Sequence, residues 1–164
     1  MPKIVIFLCT TYKFIHSSSL LNMNIDQVHG IFITREDGCH LVQFIQNPAL
    51  KPELLSSFIS GLFLFGKESV GHIDQIEIKG IDLEILVVYK NGLILSALFT
   101  KDMQKLNIRQ EAEDMLDLFH EKYHEMLKDW KGCIDDFDDF SVILKNQITQ
   151  YFSRLETKTI PNTF

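Results

Sequence analysis

Cysteine is scarce in this chain. Its 164 residues include only three cysteines, Cys9, Cys39 and Cys133, and none of them forms a Cys-x-x-Cys pair. An odd number of widely spaced cysteines indicates free thiols in a reducing compartment rather than a disulfide framework. The same spacing gives no support for a structural zinc site built on thiolates. We therefore expect a cytoplasmic protein without disulfides.

An excess of basic residues is also absent. The chain has 16 Lys and Arg against 22 Asp and Glu, which gives a formal net charge of −6 at pH 7. Nucleic acids and anionic membrane surfaces are bound by clustered positive charge. We therefore expect neither of them as the main partner.

No N-terminal apolar run is long enough to span a membrane. The run PKIVIFLCTTYKFI is interrupted by Lys13 and is not followed by the small-residue cleavage site of a secretory signal. It is also far shorter than the roughly 20 apolar residues that a spanning helix needs. The β-branched and aromatic composition of residues 4–7 favours a short strand or an apolar flap on the core. The sequence thus predicts no transmembrane segment.

The fingerprints of common cofactor and catalytic sites are missing. The sequence has no glycine-rich phosphate loop, no Rossmann fingerprint and no Gly-x-Ser-x-Gly nucleophile elbow. Residues 135–139 (DDFDD) lack the acid spacing and the final Glu of an EF-hand loop. We therefore expect no bound cofactor and no enzymatic active site.

One motif does match a catalytic signature. His120, Glu121 and His124 form His-Glu-x-x-His, in which two His one helical turn apart bind zinc and the Glu acts as general base. Each His directly follows a residue of the apolar face, so both are predicted at the edge of that face or beyond it. The apolar face is predicted from Met115, Leu116, Phe119, Tyr123 and Met126. No third His follows the motif, and a zinc hydrolase is therefore only a remote alternative.

Turn signals and apolar spacing predict an α+β domain. Asp37-Gly38 and Asn91-Gly92 are typical of hairpin turns. The predicted strands are VHGIFIT, CHLVQFIQ, DQIEIKG, LEILVVY and LILSALFT, and helical spacing is found in NPALKPELLSSFISGLFLFGKE and again from Asn107. The order β-β-α-β-β-β-α predicts a five-stranded, mostly antiparallel sheet with helices on one or both faces. We divide the chain into an N-terminal extension (1–23), this core (24–130) and a C-terminal helix packed on the core (131–157).

The C-terminal helix is predicted from a second amphipathic pattern that resumes after Gly132. Its apolar stripe consists of Phe137, Phe140, Ile143, Leu144, Tyr151 and Phe152. Such a stripe is too apolar to remain in water, so we expect it to be buried against the rest of the domain.

The first helix contains more apolar residues than one sheet face can cover. Phe63, Leu64 and Phe65 are consecutive, so this helix presents apolar groups on more than one side. The candidate interface residues are Phe58, Leu62, Phe63, Leu64 and Phe65. The inner stripe is predicted to include Phe58 and Phe65, with Phe63 and Leu64 facing outward. The excess suggests contact with a second subunit, and cover by the N-terminal extension or the C-terminal helix is the alternative.

The order of these segments resembles the longin/roadblock superfamily. The resemblance covers roughly residues 28–148 and is carried by HGIFITREDGCHLVQF, LLSSFISGLFLFGKESVG and IDLEILVVYKNGLILSALFT. The downstream segment FHEKYHEMLKDWKGCIDDFDDFSVIL is similar to uncharacterised archaeal members of the superfamily. The longin order fits better than the roadblock order, because no helix is evident before the first strand. The poorly defined residues 17–26 leave the roadblock order open.

The resemblance implies a role in protein interaction rather than catalysis. Such domains act as dimerising platforms that bind small Ras-like GTPases, regulate their nucleotide cycle, or serve in vesicle-trafficking and adaptor complexes. A homo- or hetero-oligomer that contacts a small GTPase is therefore the expected function, and a structural subunit of a trafficking-like complex without GTPase contact is the alternative.

Overall fold

The computed structural model describes residues 25–132 and 134–159. Its regular elements are β1 (Val28–Arg35), β2 (His40–Ile45), α1 (Pro52–Ser69), β3 (Gln75–Lys79), β4 (Leu83–Lys90), β5 (Leu93–Thr100), α2 (Ile108–Lys128), a 3₁₀ turn (Ile134–Phe137) and α3 (Phe140–Thr159). The predicted flap at residues 4–7 lies outside the described residues. In the described part of the chain, no helix is both long and apolar enough to cross a membrane.

Both predicted hairpin turns are present. Between β4 and β5, Asn91 and Gly92 have φ values of 56° and 75°, the left-handed conformation that a two-residue type I′ turn requires. Between β1 and β2, Gly38 has a φ of 89°, and the Cys39 amide donates a hydrogen bond to the Asp37 carboxylate at 3.1 Å. The two turns set the register of the strands that they join.

The five strands form one antiparallel sheet in the order β2-β1-β5-β4-β3. The α+β fold class and the antiparallel sheet predicted from the sequence are thereby confirmed. Strand β5 occupies the centre, and all of its residues except the last are buried. A strand that is covered on both faces reads as a continuous apolar run, and this is why LILSALFT shows no alternation.

Helices cover both faces of the sheet. Helix α1 packs on one face, where Ile59 and Phe63 contact Val87 and Ile94. Helices α2 and α3 pack on the other face. There Leu116 of α2 shares one core with those β5 residues whose side chains point away from α1. The domain therefore has three layers, with the sheet in the middle.

Helix α3 and the 3₁₀ turn before it supply much of the larger core. Phe137 and Phe140 are fully buried, and the Phe119 ring contacts both of them, with centroids 5.5 and 4.9 Å apart. Tyr123 closes the cluster from α2, with its ring 5.1 Å from that of Phe137. The predicted apolar face of α2 is wrong at one position. Met126 lies in the last turn of the helix and is 45% exposed, whereas its neighbour Leu127 is the side chain that packs against the core there.

Candidate protein-interaction surface

Helix α1 rests on the sheet through a narrow stripe. Its buried residues are Pro52, Ser56, Ile59, Phe63 and Gly66, which recur every three or four positions. A side chain at position 66 would overlap Ile73 in the following loop, so the glycine is required where the helix approaches that loop. Pro52 suits the first turn, where its missing N–H leaves no hydrogen bond unmade.

The predicted orientation of α1 is wrong for three of the candidate interface residues. Phe63 is 8% exposed and its ring packs 5.7 Å from that of Tyr89, so it is a core residue rather than an outward one. Phe58 and Phe65, predicted inside, are 53% and 64% exposed. The reason is the 100° step of the helix, since burial of Ile59 and Phe63 turns both residues away from the sheet. Leu64 is exposed as predicted.

Leu62 lies between these two groups. Its side chain is half-buried and packs against the smaller core on the α1 face of the sheet. It can contribute the edge of an interface but not its centre.

The exposed side of α1 carries an apolar seam. Leu54, Phe58, Gly61 and Phe65 follow one another at intervals of four, three and four residues, which places them in one line along the helix. We call these four residues the outer seam. Leu54 is 67% exposed and was not among the residues predicted from the sequence. The signal that could have revealed it is this heptad-like spacing, which runs opposite the buried stripe.

No contact within the described chain requires a glycine at position 61. A Cβ atom built at this position meets no atom within 4 Å, and the residue is in the middle of an 18-residue helix. Glycine in a helix interior costs about 1 kcal/mol relative to alanine. A small residue in the centre of an apolar seam allows close approach of another surface, and this is the geometric use of glycine that fits the position.

Charged residues of opposite sign continue the outer seam at its two ends. Lys51 precedes the helix and caps no backbone group with its side chain, and Glu68 lies in the last turn. Within the described residues neither takes part in an ion pair. Leu64 is as exposed as Phe65, at 62% and 64%, but lies about 100° around the helix from it and is therefore outside the seam.

A polar cluster fixes the C-terminal end of α1. Lys67 Nζ donates to one oxygen of Glu36 at 3.1 Å, and the Tyr89 hydroxyl donates to the other oxygen at 3.1 Å. The hydrogen bond from Lys67 lowers the pKa of Glu36, and burial followed by the Glu36 contact raises the pKa of Tyr89. The His72 ring stands edge-on to Tyr89, with centroids 5.3 Å apart. These groups surround a cavity of about 80 Å³ and satisfy one another, as expected for structural ion pairs at a surface.

The His-Glu-x-x-His motif lies on the solvent side of α2. His120 and His124 are half-exposed and their rings stack with centroids 5.4 Å apart, while Glu121 is exposed. His124 Nε2 lies 2.9 Å from a carboxylate oxygen of Glu125, and its Nδ1 lies 3.2 Å from the carbonyl oxygen of His120. Across residues 25–132 and 134–159, no three His, Cys, Asp or Glu side chains form a group that could hold a metal ion.

Two solved bacterial structures have a similar fold. MglB of Myxococcus xanthus superposes with a TM-score of 0.50 at 13% identity, over 62% of this chain and 89% of that one. A Roadblock/LC7 domain from Streptomyces avermitilis superposes with a TM-score of 0.51 at 15% identity, over 60% and 87% of the two chains. No protein-family model and no curated protein matches the sequence.

These likenesses establish the roadblock/longin fold and confirm the resemblance found in the sequence. At 13–15% identity they do not carry the role of any residue from one chain to the other. The similarity to archaeal members stays a prediction. The preference for the longin order depended on residues before the first strand, most of which lie outside the described part of the chain.

Proposed function

We propose that the chain is a non-catalytic, cytoplasmic interaction module that forms a homodimer through the outer seam of α1 and binds a small Ras-like GTPase. The observation that carries the dimer is the seam itself, with its central glycine. Leu54, Phe58 and Phe65 are each more than half exposed on a helix whose other side is already packed on the sheet. An exposed, contiguous line of apolar side chains is more typical of a protein-interaction site than of a surface that stays in contact with water.

The residues of the outer seam favour an antiparallel pair of α1 helices related by a two-fold axis. If Phe58 of each copy contacts Gly61 of the other, then Leu54 contacts Phe65 of the other, because both pairs of numbers sum to 119. This pairing inserts an aromatic side chain into the space left by glycine, as a knob enters a hole. Both copies use the same surface, as a closed two-fold dimer requires.

The charges at the seam ends select the antiparallel pair over a parallel one. Lys51 and Glu68 also sum to 119, so the antiparallel register places each next to its opposite charge on the second copy. A parallel pair would place Lys51 beside Lys51 and Glu68 beside Glu68, and would stack Gly61 on Gly61 with an unfilled gap. A second copy of this chain is therefore the occupant that fits the seam.

Light scattering on purified Phe65→Glu tests the dimer, with Leu64→Glu as its matched control. The seam residue occurs twice in a dimer, and burial of one Phe contributes about 1.5–3 kcal/mol, so its loss should weaken the dimer about 10²- to 10⁴-fold. Leu64→Glu replaces an equally exposed residue outside the seam and should leave the dimer intact. Equal effects of the two variants, or a wild-type monomer at micromolar concentration, would contradict the proposal.

The GTPase part of the proposal is supported by what the longin/roadblock resemblance implies and by the fold. A dimeric platform offers a composite surface that neither copy has alone, which suits the recognition of a globular partner. The test is a pull-down with a small Ras-like GTPase from the same genome, loaded separately with GDP and with a non-hydrolysable GTP analogue. Retention of either form supports the proposal. Retention of neither, by a chain that is still dimeric, favours the adaptor-like alternative without GTPase contact.

A further inference from the structure

Strand β2 forms one edge of the sheet, so one side of its backbone is not paired with another strand of the sheet. The Gln46 amide donates a hydrogen bond to the His29 carbonyl at 3.0 Å, which fixes the alternation of the β1–β2 ladder. By this alternation, the N–H and C=O groups of Gln43 and Ile45 point away from β1. Across residues 25–132 and 134–159, these outward groups form no backbone hydrogen bond. Unpaired donors and acceptors in a row are a template for one more extended strand.

The two edges of the sheet differ in charge. Strand β3, at the other edge, carries the exposed side chains of Glu77 and Lys79, and charged side chains on an edge strand discourage pairing with another chain. Strand β2 (HLVQFI) contains no acidic or basic side chain apart from His40, and no proline. Burial lowers the pKa of His40, which keeps its ring neutral at pH 7. A bulge opposite Thr34 affects only the first residues of β2, and Val42–Ile45 pair with β1 in unbroken register. The β2 edge therefore lacks the protection that the β3 edge has.

A carboxylate lies near each end of the β2 edge. The Asp26 carboxylate accepts a hydrogen bond from the Gln46 side chain at 2.9 Å, just beyond the last residue of β2. Glu53 lies near the first residue, because its charge acts on the pKa of His40 and opposes the effect of burial. Both carboxylates are exposed, and neither forms an ion pair within the described residues. A strand spans about 20 Å from position 40 to position 46, so the edge favours a segment whose basic side chains are about 20 Å apart.

We propose that the free edge of β2 binds an extended segment of a partner protein that has a basic residue at each end. The segment adds a sixth strand to the sheet, pairs its backbone with Gln43 and Ile45, and places its basic side chains beside Asp26 and Glu53. A second copy of this chain fits the edge less well, because its own β2 brings the same two carboxylates to the contact. The outer seam lies on the side of α1 that faces away from the sheet, so this site is separate from the proposed dimer contact.

Binding of the labelled peptide KVTVTVK to the full chain, followed by fluorescence anisotropy, tests this proposal. The peptide alternates strand-forming residues and places its two lysines about 20 Å apart. Gln43→Pro removes one outward N–H without breaking a bond of the β1–β2 ladder, and Gln43→Thr, which keeps that N–H, is the matched control. The dissociation constant should rise about tenfold or more in Gln43→Pro and stay within about threefold of the wild type in Gln43→Thr. Equal dissociation constants for the two variants, or no binding to the wild type at millimolar peptide, would overturn the proposal.

The charge at the two ends of the edge is tested with a second peptide, EVTVTVE. It has the same alternation and the same length, but acidic residues replace the two lysines. Repulsion from Asp26 and Glu53 should weaken its binding to the wild-type chain about tenfold or more at low salt, relative to KVTVTVK. Equal binding of the two peptides would overturn the choice of a basic segment.

Hydrogen exchange of the wild-type chain, measured by NMR, does not depend on any substitution. Saturating KVTVTVK should slow the exchange of the Gln43 and Ile45 amides about tenfold or more, because both become hydrogen-bonded. The amides of Glu77 and Lys79 are the matched control, since the alternation of the β3–β4 ladder turns them outward at the other edge, and their exchange should not change. Slower exchange at both edges or at neither would overturn the proposal. So would slow exchange of Gln43 and Ile45 before any peptide is added, since the chain itself would then occupy the edge.

Discussion

Replacement of Gly61 with alanine separates the stability of one chain from its association with a second. In a single chain the added methyl group meets no atom within 4 Å, so it introduces no overlap. It removes the conformational freedom of glycine from the middle of α1, which is worth about 1 kcal/mol. In a chain that is held monomeric by Phe65→Glu, we therefore expect Gly61→Ala to raise the free energy of unfolding by about 1 kcal/mol. For a chain of this length, that corresponds to about 2–4 °C in the melting temperature.

In the dimer the same substitution should weaken the association of the two chains. The new methyl group would enter the space that receives Phe58 of the second copy, and an overpacked site costs about 1–3 kcal/mol. Because the contact occurs twice, we expect the dissociation constant to rise by at least tenfold. Urea unfolding gives the first quantity and sedimentation equilibrium the second. If the monomer is stabilised as expected but the dissociation constant is unchanged, the proposed contact of Gly61 with a second copy is refuted. Gly61 would then face only solvent.

Three further predictions concern the rest of the domain. Phe140→Ala should lower the free energy of unfolding by about 3–5 kcal/mol, because Phe140 is fully buried. Val142 is 60% exposed on the same helix, so Val142→Ala should change that free energy by less than about 0.5 kcal/mol. Comparable losses for the two variants in urea unfolding would contradict this prediction. Burial lowers the pKa of His40 in the folded chain, so the unfolded chain binds the proton more readily. The free energy of unfolding should therefore fall as the pH drops below about 6.5. This pH dependence should be weaker in His40→Gln. Glu121→Ala should change the free energy of unfolding by less than about 0.5 kcal/mol, because Glu121 is exposed. Metal analysis of the wild-type chain, purified without chelator, should find well under one zinc per molecule. One zinc per molecule would contradict this prediction.

The sheet was predictable because its signals are local. Asn91-Gly92 permits the left-handed turn between β4 and β5 and almost nothing else at that position, so the strand boundaries follow from two residues. Gly38 has the same role in the first hairpin. Strands joined by short turns must be antiparallel neighbours, and the class of the fold then follows from the order of the elements.

The orientation of α1 was not predictable, because the helix is apolar on two sides. A stripe through Ile59 and Phe63 and a stripe through Phe58 and Phe65 satisfy the helical period equally well. Gly66 lies on the same side of the helix as Ile59 and Phe63 and lets that side approach Ile73, where any larger residue would overlap it. That contact comes from tertiary packing and leaves no trace in the periodicity of the helix.

The end of α2 was missed for a related reason. Met126 continues the apolar spacing of Tyr123, but in the last turn of α2 it is Leu127 that packs against the core. Spacing along one helix gives the direction of a side chain, whereas burial also depends on what the neighbouring elements place there.

The antiparallel homodimer through the outer seam is tested most directly by mixing two charge-reversed chains. In Lys51→Glu, two acidic residues would meet at each end of the seam, and in Glu68→Lys two basic residues would meet there, so each variant alone should dimerise more weakly than the wild type at low salt. Equal amounts of the two restore both opposite-charge pairs in a mixed dimer. Native mass spectrometry of the mixture, with one chain isotopically labelled, should therefore show the mixed dimer well above the statistical half of all dimers. A statistical mixture of dimers, or monomers alone in the wild type and both variants, would contradict the account.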